Sequence, residues 1–166
     1  GRIRAQLGDP LTLVYNAGSG VWGDVESISL EDFESTWRVN AYGSLATSHQ
    51  VIPAMKAAGS GTIIFIGATA SRRGTPRTAA FAPAKAAQRS LAESMARSLG
   101  PYGIHVALIV IDAVVDVPKT RQAMPDKPNS FFLRPDDMAA SAVWLARQPR
   151  SAWTFEIEVR PFGENW

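Results

Sequence analysis

Four short runs of the chain are rich in residues that favour strands, the first three of them nearly continuous in apolar character: "LTLVY" at 11–15, "TIIFI" at 62–66, "IHVALIVI" at 104–111 and "FEIEV" at 155–159. The first three lack the alternation of a half-exposed strand, and near-continuous apolar character is what a strand covered on both faces requires. Between them the pattern changes to amphipathic stretches of helical length. The first opens at "SLED", where Ser29 followed by Asp32 makes a capping-box-like start, and runs to a stop at Gly59, with Pro53 expected to bend or break it. The second spans about 78–99 and ends in "GPYG". The third opens at "RPDDMAASAVWLARQ", with Pro135 suited to a first turn and two carboxylates at the positive end of the helix. Strand and helix in strict alternation predict βαβ units, and so a parallel sheet with right-handed crossovers. Segment 112–134, "DAVVDVPKTRQAMPDKPNSFFLR", breaks the pattern and predicts a long loop with one short helix, a length that suits a lid or binding loop.

Composition narrows the function classes. With 46% hydrophobic and 19% charged residues, 166 residues make one ordinary globular domain, 1–166, long enough to bury roughly 70% of its unfolded surface. Lys and Arg exceed Asp and Glu by only 17 to 15, and "SRRGTPR" is the one basic cluster, so nucleic acid is not an expected partner. The chain has no cysteine, and its two histidines are far apart, so neither a disulfide framework nor a metal site is expected. No run approaches the length of a membrane span, and the amino end has no apolar signal core, which points to a cytoplasmic protein with no membrane partner.

In open parallel sheets ligands bind beyond the carboxyl ends of the strands. Four segments fall there: "NAGSG", "GATASRRG", "DAVVD" and the start of the "FAPAK" helix. On that helix Phe81 and Lys85 are four residues apart and share a face, so a ring sits beside an ammonium. His49 and His105 read as a helix-surface and a strand-edge residue, Arg72 and Arg73 as solvated or as contacts for an anionic ligand, and the tryptophans near the carboxyl end as packing for the last strand and tail.

These blocks resemble, in order and spacing, those of the short-chain dehydrogenase/reductase family: "LTLVYNAG", "WRVNAYG", "GTIIFIGATAS", "FAPAKAA" and "SMARSLGPYGIHVALIV". The resemblance implies an α/β, Rossmann-like open parallel sheet with helices on both faces, here truncated to about four strands. It implies an oxidoreductase that moves hydride between NAD or NADP and a small-molecule carbonyl or alcohol. Asn16, Ala17 and Gly18 match the family's Asn-Ala-Gly turn beside the cofactor. Asn40 matches the asparagine that bends its helix and holds a water of the proton relay. Lys85 matches the lysine that binds the nicotinamide ribose and lowers the pKa of a neighbouring tyrosine.

That tyrosine is Phe81 in this chain, and the family's serine is Ala68. A phenyl ring has no proton to give, and loss of a positioned general acid costs about 10² to 10⁴ in rate. Thr69, Ser71 and Lys85 are the nearby substitutes, with Thr69 the candidate hydroxyl. After the third strand, where the family has Pro-Gly and then a threonine, this chain reads Ile111, Asp112 and Val117. The glycine-rich turn that would precede "LTLVY" has no counterpart, and "GRIRAQLGD" reads as the end of the helix leading into that strand. The expectation is therefore a family oxidoreductase with impaired or altered activity. Two alternatives stay open: a non-catalytic relative acting as a ligand-binding or interaction scaffold, and a fragment of a longer oxidoreductase. "LTLVY" would be an apolar edge strand that invites pairing, so a homo-oligomer is expected.

Overall fold

The computed structural model describes residues 2–163. A short helix α1 (Arg2–Leu7) precedes β1 (Thr12–Tyr15), α2 (Leu30–Trp37), a π-helical turn (Arg38–Tyr42), α3 (Gly43–Ala58) and β2 (Gly61–Ala68). Then follow α4 (Phe81–Leu99), β3 (Ile104–Ile111), β4 (Val114–Val115), α5 (Pro118–Ala123), β5 (Phe132–Leu133), α6 (Pro135–Ala146) and β6 (Glu156–Val159). The main sheet has the order β1-β2-β3-β6 and every pairing in it is parallel. No helix among the described residues is long and apolar enough to cross a membrane.

Alternate residues of the two central strands feed two separate cores. Ile63, Phe65, Val106, Leu108 and Val110 face one side, where Val51 and Met55 of α3 and Ala92, Met95 and Leu99 of α4 meet them. Ile64, Ile66, Ala107 and Ile109 face the other side and pack on Ala142 and Leu145 of α6. This two-sided burial explains the unbroken apolar runs of β2 and β3. β1 is an edge strand as expected, but it is not covered on both faces as its apolar run predicts: Val14 on it and Leu11 just before it are exposed.

The helix expected to bend or break at Pro53 is irregular instead at the turn that holds Asn40, the residue matched to the family's helix-bending asparagine. Ser29 caps it as expected, its hydroxyl accepting from the Asp32 amide at 3.0 Å. Pro53 lies inside a continuous α3, and the irregularity is the π turn at 38–42. Gly59, in the left-handed region at φ 59°, ends α3. The π turn widens the helix by one residue per turn and frees carbonyls, a local feature common at functional sites. In this turn Val39 O accepts from the Tyr15 hydroxyl at 2.5 Å. That hydroxyl lies where a side chain at residue 43 would begin, so Gly43 is a matter of close approach.

The long loop 112–134 carries more order than expected. Besides the one expected helix, α5, it forms a two-stranded parallel ladder in which Val114 pairs Phe132 and Val115 pairs Leu133. His105 also departs from its reading as an edge residue. It is buried, stacked on Trp153 at 5.0 Å, and its Nε2 lies 2.9 Å from the Thr154 carbonyl. Trp166 lies outside the described residues.

Gly43→Ala is expected to destabilise the protein by about 1–3 kcal/mol through overlap with the Tyr15 hydroxyl. In a Tyr15→Phe background the same change should cost under about 1 kcal/mol, because the obstructing oxygen is gone. Urea unfolding of the two single variants and the double variant measures this coupling.

Candidate active site

The carboxyl ends of β1, β2 and β3 open into one cleft of about 640 Å³. Its wall includes Asn16, Gly18, Ala68, Thr69, Phe81 and Lys85, which are six of the residues that the sequence singles out. Ala17 is exposed and is not part of this lining. Asn40 is fully buried beneath the loop that follows β1.

Lys85 sits on α4, 6% exposed. β1 stops opposite Phe65, and the next carbonyl of β2, Ile66 O, accepts from Lys85 Nζ at 2.9 Å. Gln88, one turn further along α4 and fully buried, accepts a second bond through Oε1 at 3.0 Å. Burial penalises the charged form and draws the amine down from its ordinary 10.5 to about 8. The Phe81 ring centroid lies 5.9 Å from Nζ, so the ring faces the ammonium as the spacing predicts.

Asn40 lies in the π turn. Its Nδ2 donates to Thr36 O at 2.8 Å and to Ser19 O at 2.6 Å, which ties the helix to the loop after β1. Its Oδ1 is buried and has no protein partner. A Cβ on Gly18 would stand 3.7 Å from that oxygen and 3.9 Å from Lys85 Nζ, so Asn40 and Lys85 flank one small space beneath Gly18.

The Thr69 hydroxyl has one hydrogen, and Asp112 Oδ1 is its nearest acceptor at 2.5 Å, with the Ile111 carbonyl at 3.2 Å. Thr69 is therefore joined to the end of β3 at the cleft. Behind it runs an ion network that no sequence pattern revealed, since its members are distant along the chain. Arg160 pairs with Asp112 at 3.4 Å and with Glu158, Arg72 with Glu158 and at 2.7 Å with Glu156, and Arg89 with Glu156 at 2.6 Å. Burial would raise the Glu156 carboxyl, but the hydrogen bonds from Arg89 and Arg72 outweigh it and hold it below the usual range. Arg72 is thus held by carboxylates rather than presented alone to an anion.

Aromatic and aliphatic residues make up much of the rest of the cleft, alongside Ser19 and Lys119. Trp22 lies 5.3 Å from Phe81, ring to ring, and Phe131 and Val114 belong to the same lining. At Gly20 a Cβ would stand 2.9 Å from the Phe81 ring, so the ring packs directly on the loop backbone.

Three comparisons bear on this arrangement. The family model for short chain dehydrogenases matches residues 1–127, and the chain belongs to that family. An uncharacterised NAD-dependent oxidoreductase of Mycobacterium tuberculosis is 30% identical over 158 residues, covering 85% of this chain and 58% of its own length. The crystal structure of a short-chain dehydrogenase from Rhodopseudomonas palustris, at 35% identity and TM-score 0.75, covers 91% of this chain and 62% of that one. That of a metagenomic short-chain oxidoreductase in complex with NADP, at 27% identity and TM-score 0.79, covers 98% and 66%. The chain thus spans about three fifths of the length of these relatives.

The depressed Lys85 amine has a measurable linkage. Between about pH 8 and 10.5 the unfolded chain binds more protons at this lysine than the folded one, so its burial penalty is full below pH 8 and lifts as pH rises. The stability of the protein relative to Lys85→Met is expected to rise by about 3 kcal/mol across that window, read from urea midpoints at a series of pH values.

Proposed function

We propose that the chain is part of a nicotinamide-dependent oxidoreductase of the short-chain dehydrogenase family, acting on a small carbonyl or alcohol with its proton-transfer step weakened. The reading rests most on one observation: Lys85 and Asn40 flank the same space under Gly18, at the carboxyl ends of the strands. The residues fit the nicotinamide-ribose half of NAD or NADP. Lys85 Nζ spends two bonds on the protein and keeps a third for a ribose hydroxyl, while Asn16 and Gly18 line the same cleft. The orphaned Asn40 Oδ1 suits a bridging water. The described residues hold no glycine-rich turn for the diphosphate. The relative solved with NADP and the NAD-dependent relative support a nicotinamide without choosing between the two cofactors.

Bound there, the cofactor supplies or accepts hydride. The chain's own residues bind and shape. Lys85 anchors and orients, Phe81 and Trp22 shield an apolar substrate from water, and Gly20 lets the Phe81 ring close against the loop. Proton supply to the substrate oxygen is the weak step, because positions 68 and 81 carry no hydroxyl. Thr69 has one, polarised by Asp112, and it is the residue we assign to replace them. A substrate oxygen near Thr69 would compete with Asp112 for its hydrogen, and this competition lowers activity.

A second reading, a non-catalytic ligand-binding scaffold, is favoured by the same missing hydroxyls. The third, a fragment of a longer oxidoreductase whose remainder completes the cofactor site, is favoured by the span of the relatives. Under any of them we assign a cytoplasmic protein that self-associates along β1, whose outer edge is unpaired.

Restoring the hydroxyls separates the first two readings. In the double variant Phe81→Tyr with Ala68→Ser, reduction of a generic ketone by NADPH or NADH is expected to rise by about 10² or more over the parent. Cofactor bound with no gain in turnover would leave the scaffold reading. No change in nicotinamide fluorescence at millimolar cofactor would remove the oxidoreductase reading for this chain. Sedimentation equilibrium is expected to show a concentration-dependent dimer or higher species, and a monodisperse monomer would contradict the edge-pairing assignment.

A further inference from the structure

We propose that Lys85 is a carbonyl-capturing amine, which condenses reversibly with an apolar aldehyde or ketone in the cleft to form an imine on its own Nζ. This activity needs no nicotinamide and goes beyond the reading above without resting on it.

The geometry around Nζ carries the inference. A neutral amine has two N–H bonds and one lone pair. Here two acceptors, Ile66 O at 2.9 Å and Gln88 Oε1 at 3.0 Å, match the two N–H bonds. No third protein acceptor takes the remaining tetrahedral position among the described residues. Lys85 is part of the wall of a 640 Å³ cleft, so that position is left for a small molecule. These two bonds fix Nζ in place and leave one tetrahedral position uncommitted, with Gln88 as the positioning residue, while burial without a carboxylate partner favours the neutral, nucleophilic form.

Nothing nearby restores the charge. β2 presents the Ile66 carbonyl, α4 the Phe81 ring and Gln88, the loop after β1 Gly18, and the π turn Asn40, and none of these titrates. The ionisable groups that share the cleft are Thr69-bound Asp112, just beyond β3, and Lys119 on α5. No carboxylate forms an ion pair with Lys85 among the described residues. Burial alone accounts for an amine that is half neutral near pH 8, the condition under which a desolvated lysine becomes a nucleophile.

The step balances without an oxidant or reductant. The Nζ lone pair adds to the carbonyl carbon, and the C=O π pair moves to oxygen, which takes a proton from solvent in the open cleft. Nitrogen gives up a proton in turn, and water leaves as C=N forms. The ligand class follows from the wall: Phe81, Trp22 and Phe131 favour an aromatic or branched apolar aldehyde over a charged one.

Benzaldehyde with cyanoborohydride, which reduces an imine to a stable secondary amine, tests this on the intact protein between about pH 6 and 9. The other lysines, Lys56, Lys119 and Lys127, are exposed and serve as internal competitors. Peptide mapping by mass spectrometry is expected to show Lys85 labelled about ten-fold or more faster than each of them at pH 7, because far more of it is unprotonated. Gln88→Leu removes one acceptor of the charged form, and should keep the label while moving the half-rate to lower pH. Labelling in order of exposure, with Lys85 last or unlabelled, overturns the proposal. So does a rate profile unmoved by Gln88→Leu. Mapping of the unaltered protein decides even where a variant fails to fold. Aldehyde capture without any NADPH response would uphold this proposal while ending the oxidoreductase reading, and the reverse pair of results would do the opposite.

Discussion

The bond from Lys85 Nζ to the Ile66 carbonyl joins the second turn of α4 to β2 at the point where β1 has ended. Everything at the mouth of the sheet is organised around it. A lysine 6% exposed pays for its burial in desolvation, and two neutral acceptors offset only part of that cost. An apolar residue on the same face of α4 would pack at no such penalty. The placement is therefore understandable only if the amine does something where it is, and the direction it is left free to act is the cleft.

The second support is the π turn. At and beside the turn at 38–42 two backbone carbonyls take side-chain donors, Val39 O from Tyr15 of β1 and Thr36 O from Asn40 itself. The second Asn40 bond, to Ser19 O, fixes the loop that closes over Lys85. Three buried polar atoms, Thr36 Oγ1, Asn40 Oδ1 and Gln88 Nε2, are left without protein partners on the π turn and on the helices that pack with it. Orphans on neighbouring elements, near a buried amine, mark a polar seam beside the apolar cores, the sort of local inconsistency that folds retain at functional places.

How much of this was legible depends on the range of the interaction concerned. The strands at 62–66 and 104–111 announce themselves because burial on both faces leaves no polar position to interrupt them. Ser29 and Gly59 mark helix ends because capping is local chemistry. The π turn was marked only by the resemblance of Asn40 to a helix-bending asparagine, and its contact with Tyr15 at Val39 and Gly43 forms only in the fold. The same is true of the β4–β5 ladder, of His105 buried against Trp153, and of the Arg72, Arg89 and Arg160 network, whose partners lie far off in sequence. At the site, Lys85, Phe81 and Asn40 could be named from spacing and resemblance. Gln88 could not, because a glutamine on a helix is ordinarily a solvated residue, and only its complete burial shows it aimed at the amine.

Positions 68 and 81 show how the cleft wall is separated from what holds the fold together. Neither position supports the two cores, which are built from alternate residues of β2 and β3 on α3, α4 and α6. Ala68 is the last residue of β2 and leaves no polar group in need of a partner. Phe81 spends its ring against Trp22 and the backbone at Gly20, contacts that a phenol would make equally well, so the missing hydroxyl leaves packing untouched. Stability is thus decided behind the strand ends and chemistry in front of them, and one can change while the other is kept. In front stands a lysine held by two acceptors beside the aromatic rings of the cleft, an arrangement whose reactivity follows from desolvation and orientation.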